Sequence, residues 1–163
     1  MTAVRVRAAL PADAETIAAF AHALSLEEGH RAPALQARQV RAEGFGASPR
    51  FRVLIAERDG QPAGYALFFP AYATDHAERG FYLQDLYVVP EARRQGAGRA
   101  LMAAVARACA ADGGCYVFWN ARPENRAALA FYRRIGARRD PTVTLSLQPD
   151  ALRRLAETPS AAP

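Results

Sequence analysis

The segment from Gly80 to Trp119 constrains the fold more than any other part of the chain. Gly80–Val89 is rich in aromatic and β-branched residues and closes at Pro90, the pattern of a strand. A loop with glycines at 96 and 98 leads into a stretch from Gly98 to about Asp112. Its apolar residues Leu101, Val105, Ala108 and Cys109 recur at helical spacing. Gly113-Gly114 breaks that helix, and Cys115–Trp119 is an apolar run of strand length. Strand, helix and strand in this order form a crossover unit, which places the chain among α/β architectures.

The flanking segments extend the pattern. Val4–Arg7 alternates like a short strand, and Pro11-Ala-Asp13 opens a helix with a stripe at Ile17, Phe20, Ala21 and Leu24. A second helix is predicted from about Ala34 to Glu43, stopped by Gly44. Phe51–Glu57 and Ala63–Tyr72 read as a hairpin, with Asp59-Gly60 supplying the positive-φ turn positions. Pro70 ends that second strand or sits where no ladder donor is needed. Asn125–Arg134 is helical and ends at Gly136; Thr142–Leu147 alternates as a last strand; Asp150 could cap a short terminal helix before a loose tail at Thr158–Pro163. The predicted order is β α α β β β α β α β α in a single domain covering residues 1–163.

With 163 residues, 51% hydrophobic and 23% charged, the chain can bury a core without disulfide or metal staples. All 21 basic residues are arginine. The absence of lysine excludes a Schiff base, a P-loop lysine and a lysine general base, so any anion is held by arginine forks or backbone amides. The net charge of +5 is spread along the chain without a long basic run, which argues against a nucleic-acid partner. Cys109 and Cys115 sit in apolar sequence, read as reduced, buried thiols of a cytoplasmic protein. They lack zinc spacing, and His22, His30 and His76 are too scattered to form a metal site. No signal peptide is expected, and no apolar run approaches the roughly 20 residues that span a bilayer, so no membrane partner is expected.

Chemistry concentrates after the Gly80–Val89 strand, in Arg93-Arg94-Gln95-Gly96-Ala97-Gly98-Arg99. A strand enters a tight loop and then a helix, so the amides of Gln95 to Arg99 converge where the helix dipole is positive. Such a site suits a pyrophosphate. A dinucleotide fingerprint would need glycine where Leu101 stands, and a P-loop needs Lys-Ser/Thr. A purely structural turn with incidental glycines is the plainer reading.

Arg93-x-x-Gly96-x-Gly98 resembles the acetyl-CoA signature of the GNAT N-acetyltransferase superfamily, (Gln/Arg)-x-x-Gly-x-(Gly/Ala). Downstream, Asn125-x-x-Ala128-x-x-Phe131-Tyr132-x-x-x-Gly136-Ala137 is similar to the second signature of that family. Glu43-Gly-Phe-Gly46 and Tyr82-Leu83-Gln84-Asp85 resemble segments of the diamine (spermidine/spermine) acetyltransferase-like branch, and the likeness spans about residues 4–157. It implies a GNAT fold, a mixed twisted sheet of about six or seven strands flanked by helices. It also implies acetyl-CoA as co-substrate, no metal, a small cationic amine as acceptor and a homodimer. Other acceptors (a protein N-terminus, an aminoglycoside, a hydroxylated amine) and a non-catalytic acyl-CoA sensor are the rival readings.

The resemblance assigns roles residue by residue. Acetyl-CoA enters between the strands Phe81–Val89 and Cys115–Trp119. Backbone at Tyr87, Val88 and Val89 meets the pantetheine, and Arg93, Arg94, Gln95, Gly96, Ala97, Gly98 and Arg99 hold the pyrophosphate. Asn125 matches a cofactor contact and equally reads as a helix N-cap. Tyr132 matches the tyrosine that protonates the leaving thiolate; a core aromatic is its plainer reading. The branch has a glutamate base where this chain has Gln84, which can position water but cannot take a proton at neutral pH. Three readings stay open: Asp85 accepts the proton through water, the amine loses it to solvent before reaction, or Asp85 is only a strand-end acid. Strand alternation puts Gln84 and Asp85 on opposite faces. Glu27, Glu28 and Asp75 are candidate contacts for a cationic amine, each otherwise a solvated surface acid.

Overall fold

In the computed structural model, which describes residues 4–30, 35–75 and 77–158, the apolar alternation of the first half of the chain becomes one sheet. Its strands are β1 (Arg5–Ala8), β2 (Arg52–Arg58), β3 (Gln61–Ala73), β4 (Glu78–Val88) and β5 (Tyr116–Phe118). They lie in the order β1-β2-β3-β4-β5. The first four are antiparallel and β5 runs parallel to β4, so the sheet is mixed. The helices are α1 (Ala14–Glu27), α2 (Ala37–Gln39, continued by a π-helical turn at Val40–Gly44), α3 (Ala97–Ala111), α4 (Arg126–Arg134) and α5 (Pro149–Ala156). Residues 1–119 and 120–163 form two compact units.

In the first unit each face of the sheet buries a separate core. One is built from Ile17 and Ala21 of α1 with Val40, Val53, Ile55, Tyr65, Leu67 and Tyr87. The other sets Ala97, Leu101, Val105 and Cys109 of α3 against Ala56, Ala66, Phe68, Phe81 and Leu83. The α3 residues recur every fourth position and so make one stripe. Leu101 and Val105 are fully buried, each worth roughly 1.5–3 kcal/mol of transfer free energy. Arg7 of β1 clasps Asp13 with two bonds of 2.7 and 2.8 Å and Glu57 of β2 with one of 2.6 Å. Asp13 is thereby held below the ordinary carboxylate range.

β4 does not keep a simple alternation. Leu67 pairs with Asp85 and the next β3 residue, Phe68, pairs with Leu83, so Gln84 is an extra residue in a β-bulge. Before the bulge Phe81 and Leu83 face α3; after it Leu86 and Val88 face α3 while Tyr87 faces α1. The expected opposition of Gln84 and Asp85 is therefore corrected. The bulge resets the side-chain parity between them, and both line one cavity on the α1 face. The bulge also follows the last β4–β5 pair, Tyr82↔Phe118. Beyond it β4 runs on to Val88 with no β5 partner, and the parallel pair opens.

Several sequence expectations change. The described sheet has five strands rather than six or seven, because Thr142–Leu147 joins no ladder among the described residues. Val143 and Leu145 stand 83% and 88% exposed; alternation offers an apolar face, but only backbone pairing makes a strand. Pro70 does not end β3, which continues to Ala73; it lies beyond the last β2 pair, Arg52↔Phe68, where no donor toward β2 is needed. Cys109 is buried as expected, whereas Cys115 is exposed, just before the short edge strand β5. The terminal helix α5 forms, but its N-cap is Gln148, and Asp150 sits in the first turn paired with Arg153. His76, Ala34 and the tail after Thr158 lie outside the described residues.

Candidate functional site

The loop after β4 is built to leave helix amides bare. A 3₁₀ turn at Pro90–Ala92 ends in extended backbone at Arg93. Arg94 (φ 59°) and Gly96 (φ 93°) then take left-handed conformations, and at Gly96 only glycine is free of strain. Gly96 is the N-cap of α3, no side chain caps the helix, and its first turn holds no acid. The amides of Ala97, Gly98 and Arg99 thus have no intrahelical acceptor, at the positive end of a 15-residue dipole. Arg94, Gln95 and Arg99 around them are exposed. This donor set fits a pyrophosphate such as that of acetyl-CoA.

Arg93 behaves differently from its neighbours. Its Nε donates to the Val88 carbonyl (2.8 Å), its Nη2 meets the Glu27 carboxylate (2.5 Å), and its guanidinium lies 5.6 Å from the centre of the Tyr87 ring. It ties the end of α1 to the end of β4. Glu27, read as a substrate acid, is engaged by this arginine. Burial, with the Glu27 charge, pushes the Tyr87 phenol up.

The open edge of β4 supplies backbone groups. The Val89 amide donates to the Ala63 carbonyl (3.0 Å) and so faces β3. Alternation in an antiparallel ladder then turns the N–H groups of Val88 and Leu86 to the other edge, where β5 has diverged. Leu86 was not anticipated from the sequence, because the position of the open edge depends on the bulge.

At the bulge a cavity of about 420 Å³ is lined by Leu35, Arg50, Phe51, Leu67, Phe69, Gln84 and Asp85. Asp85 accepts a 2.7 Å hydrogen bond from the hydroxyl of Tyr65, a residue of β3 with no exposed surface. Burial raises the Asp85 pKa, the Tyr65 bond opposes that rise, and the charge of Glu28 adds to it. Burial, with Asp85 and Glu28 nearby, drives the Tyr65 hydroxyl far above the ordinary phenol range, so it stays a donor. Glu28, the C-cap of α1, also lies 3.6 Å from His30. Asp75 is not part of this group. It stands in the β3–β4 turn, roughly 20 Å along β4 from Asp85, and its charge acts on Tyr116 instead. Tyr65 was also missed in the sequence. Its signal was a phenol in an otherwise apolar strand, since a buried tyrosine hydroxyl finds a partner.

In the second unit, Asn125 caps α4, its Oδ1 accepting from the Ala128 amide (3.0 Å). The cap expected from the sequence is therefore present. Tyr132 is half-buried on α4, its ring 5.3 Å from that of Phe131. The Ala137 amide closes the helix end on the Tyr132 carbonyl (3.0 Å), and Gly136 donates to Arg133 (3.1 Å), a Schellman stop. Among the described residues no cluster of His, Cys, Asp and Glu could hold a metal, and no helix is long and apolar enough to cross a membrane.

Comparison with known proteins decides the family. Residues 17–137 match the model of the Acetyltransferase (GNAT) family. The chain belongs to the GNAT acetyltransferases. The chain is 32% identical over 147 residues to thialysine N-epsilon-acetyltransferase of Mus musculus, covering 84% of the chain and 85% of that relative. To the protein of the same name from Sus scrofa it is 40% identical over 108 residues, 61% of the chain and 62% of that relative. It thus spans about three fifths of the length of that relative and of the Bos taurus one. Among solved structures, an integron cassette protein from V. cholerae superposes with a TM-score of 0.78 at 20% identity, over 95% of the chain and 98% of the other. That likeness bears on the fold alone. The mixed sheet with helices on both faces agrees with it.

Proposed function

We propose that the chain, acting as one domain, is an N-acetyltransferase that moves an acetyl group from acetyl-CoA to a primary amine of a small cationic substrate, by direct attack in a ternary complex. One observation carries the reading: the open edge of β4 has a half-buried carboxyl, Asp85, at its bulge and the bare amides of α3 beyond its end. Family membership and the thialysine acetyltransferase relatives support it. When bound, acetyl-CoA supplies a thioester carbonyl open to attack by an amine.

The chain's own residues have the remaining tasks. The α3 amides with Arg94 and Arg99 hold the pyrophosphate, and the outward N–H groups of Val88 and Leu86 pair with the pantetheine arm. Asp85 takes the proton of the acceptor ammonium, with Gln84 beside it to hold a water. The carboxylates of Glu28 and Asp85 favour a cation over a neutral amine. Tyr132 gives a proton to the departing sulfur and Asn125 contacts the cofactor, both by match to the family signature. The acceptor class is a diamine, a polyamine or a lysine-like amino acid, and the working state is a cytoplasmic homodimer.

The test is release of free thiol from acetyl-CoA with a panel of amines. Diamines and diamino acids should raise the rate well above neutral monoamines. If no amine raises it while the protein still binds CoA, the sensor reading replaces this one. Gly96→Val, which forces a β-branched residue into φ 93°, should raise KM for acetyl-CoA about fivefold or more with a smaller change in kcat; this follows from the strain of roughly 1–3 kcal/mol at the anion loop. Tyr132→Phe should lower kcat about tenfold and remove the alkaline limb of its pH profile. The loss is modest because a thiol, with a pKa near 8.5, is a good leaving group without help.

A further inference from the structure

We infer that Tyr65 is the positioning residue for the proton acceptor Asp85: its buried hydroxyl fixes one carboxylate oxygen so that the other is presented to the amine in the cavity. The inference rests on the proposed acetyl transfer with Asp85 as base, and it goes beyond it by assigning a role to a residue outside both family signatures.

The geometry comes from three neighbouring features. Asp85 is the second residue of the β4 bulge, the place in a ladder where a side chain is most easily re-aimed. Tyr65 stands on β3 opposite Tyr87, two residues along the ladder from the Leu67↔Asp85 pair, on the same α1 face. Its ring is locked by the core, 6.0 Å from the ring of Phe20 and stacked on it. The hydroxyl therefore cannot swing away, and the 2.7 Å bond to Oδ2 of Asp85 holds the carboxylate in one rotamer. A hydrogen bond on one oxygen leaves the second with its lone pairs for the substrate or for a water held by Gln84.

The charged groups around Asp85 come from every packed element. Glu28 at the end of α1 acts on both Asp85 and Tyr65. Glu27 is taken by Arg93. Arg50, which precedes β2, lines the same cavity and is paired with Glu43 at 2.6 Å. Gln84 is neutral, and Tyr87 on the same face stays protonated. Among the described residues the Tyr65 hydroxyl donates directly to the Asp85 carboxylate, and that bond favours its ionised form. In the reaction, the proton leaves the acceptor ammonium for the free oxygen of Asp85, directly or through one water; the Tyr65 proton stays on the phenol.

Tyr65→Phe removes only that hydroxyl and keeps the packed ring. The experiment compares pH profiles of kcat/KM for wild type, Tyr65→Phe, Asp85→Asn and the double variant, with thermal unfolding as a check on folding. A bond to a charged group favours ionisation, so its loss should move the acid limb of Tyr65→Phe up by about one pH unit. kcat should fall severalfold at neutral pH with KM for acetyl-CoA unchanged. In the Asp85→Asn background the same change should have no effect on the residual rate. An unmoved acid limb in a folded Tyr65→Phe, while Asp85→Asn is inactive, would overturn the positioning role and leave Asp85 as the base. Full activity of Asp85→Asn would remove the base itself, and the role of Tyr65 with it.

Discussion

Asp85→Asn should lower kcat by about 10²–10³-fold while KM for acetyl-CoA stays within about twofold, as removal of a general base does. An amide cannot take the ammonium proton, and Gln84 beside it has the same defect. The anion loop lies past the far end of β4 and keeps its amides, so cofactor affinity has no reason to change. The pH dependence carries the sign. Burial raises the folded pKa of Asp85, and a base works only when ionised. The acid limb of the wild-type kcat/KM profile should therefore lie above the ordinary carboxylate range. A folded pKa above the unfolded one means that Asp85 contributes stability below its unfolded pKa and loses that contribution as pH rises through the folded value. Asp85→Asn should then be no less stable than wild type at pH 7, and comparatively weaker in acid. A variant of undiminished kcat would return Asp85 to the role of a strand-end acid. Rates following the pKa of the added amine would mean that solvent takes the proton.

The crossover unit was legible because its periods are strong. Leu101, Val105 and Cys109 announced α3, and the glycines marked the loop before it. The bulge was also written in the sequence, though less openly. Phe81 and Leu83 are apolar at odd positions, Leu86 and Val88 at even ones, and such a change of parity needs one extra residue between them. Reading β4 as a single alternating strand hid this and separated Gln84 from Asp85. The bond between Arg93 and Glu27 had no such trace. It joins two surface residues 66 positions apart, and only the fold brings α1 to the end of β4. Thr142–Leu147 failed for the opposite reason. Its alternation is clear, but pairing depends on a neighbour that the period of a segment cannot reveal.

Leu101→Ala should destabilise the protein by about 3 kcal/mol and lower Tm by about 6–12 °C, measured by calorimetry or urea unfolding. Leu101 is fully buried in the core that α3 makes with the sheet, one turn inside the helix from its N-terminus. Alanine leaves a void among Ala97, Val105 and the aromatic pair Phe68–Phe81, whose ring centres are 4.9 Å apart. Those rings are also held by Arg52, whose guanidinium lies 5.4 and 5.3 Å from them, so the site has little freedom to collapse and the cost should not fall to the low end for leucine truncations. The same position links stability to function. The bare amides of Ala97, Gly98 and Arg99 are fixed in space only because the stripe beginning at Ala97 and Leu101 anchors the first turns of α3. With Leu101 shortened, KM for acetyl-CoA should rise a few-fold at temperatures well below the new Tm, while the acid limb set by Asp85 stays where it is. An equal shift of both would mean that the void disturbs β4 itself, through Phe81 and Leu83, rather than the helix alone.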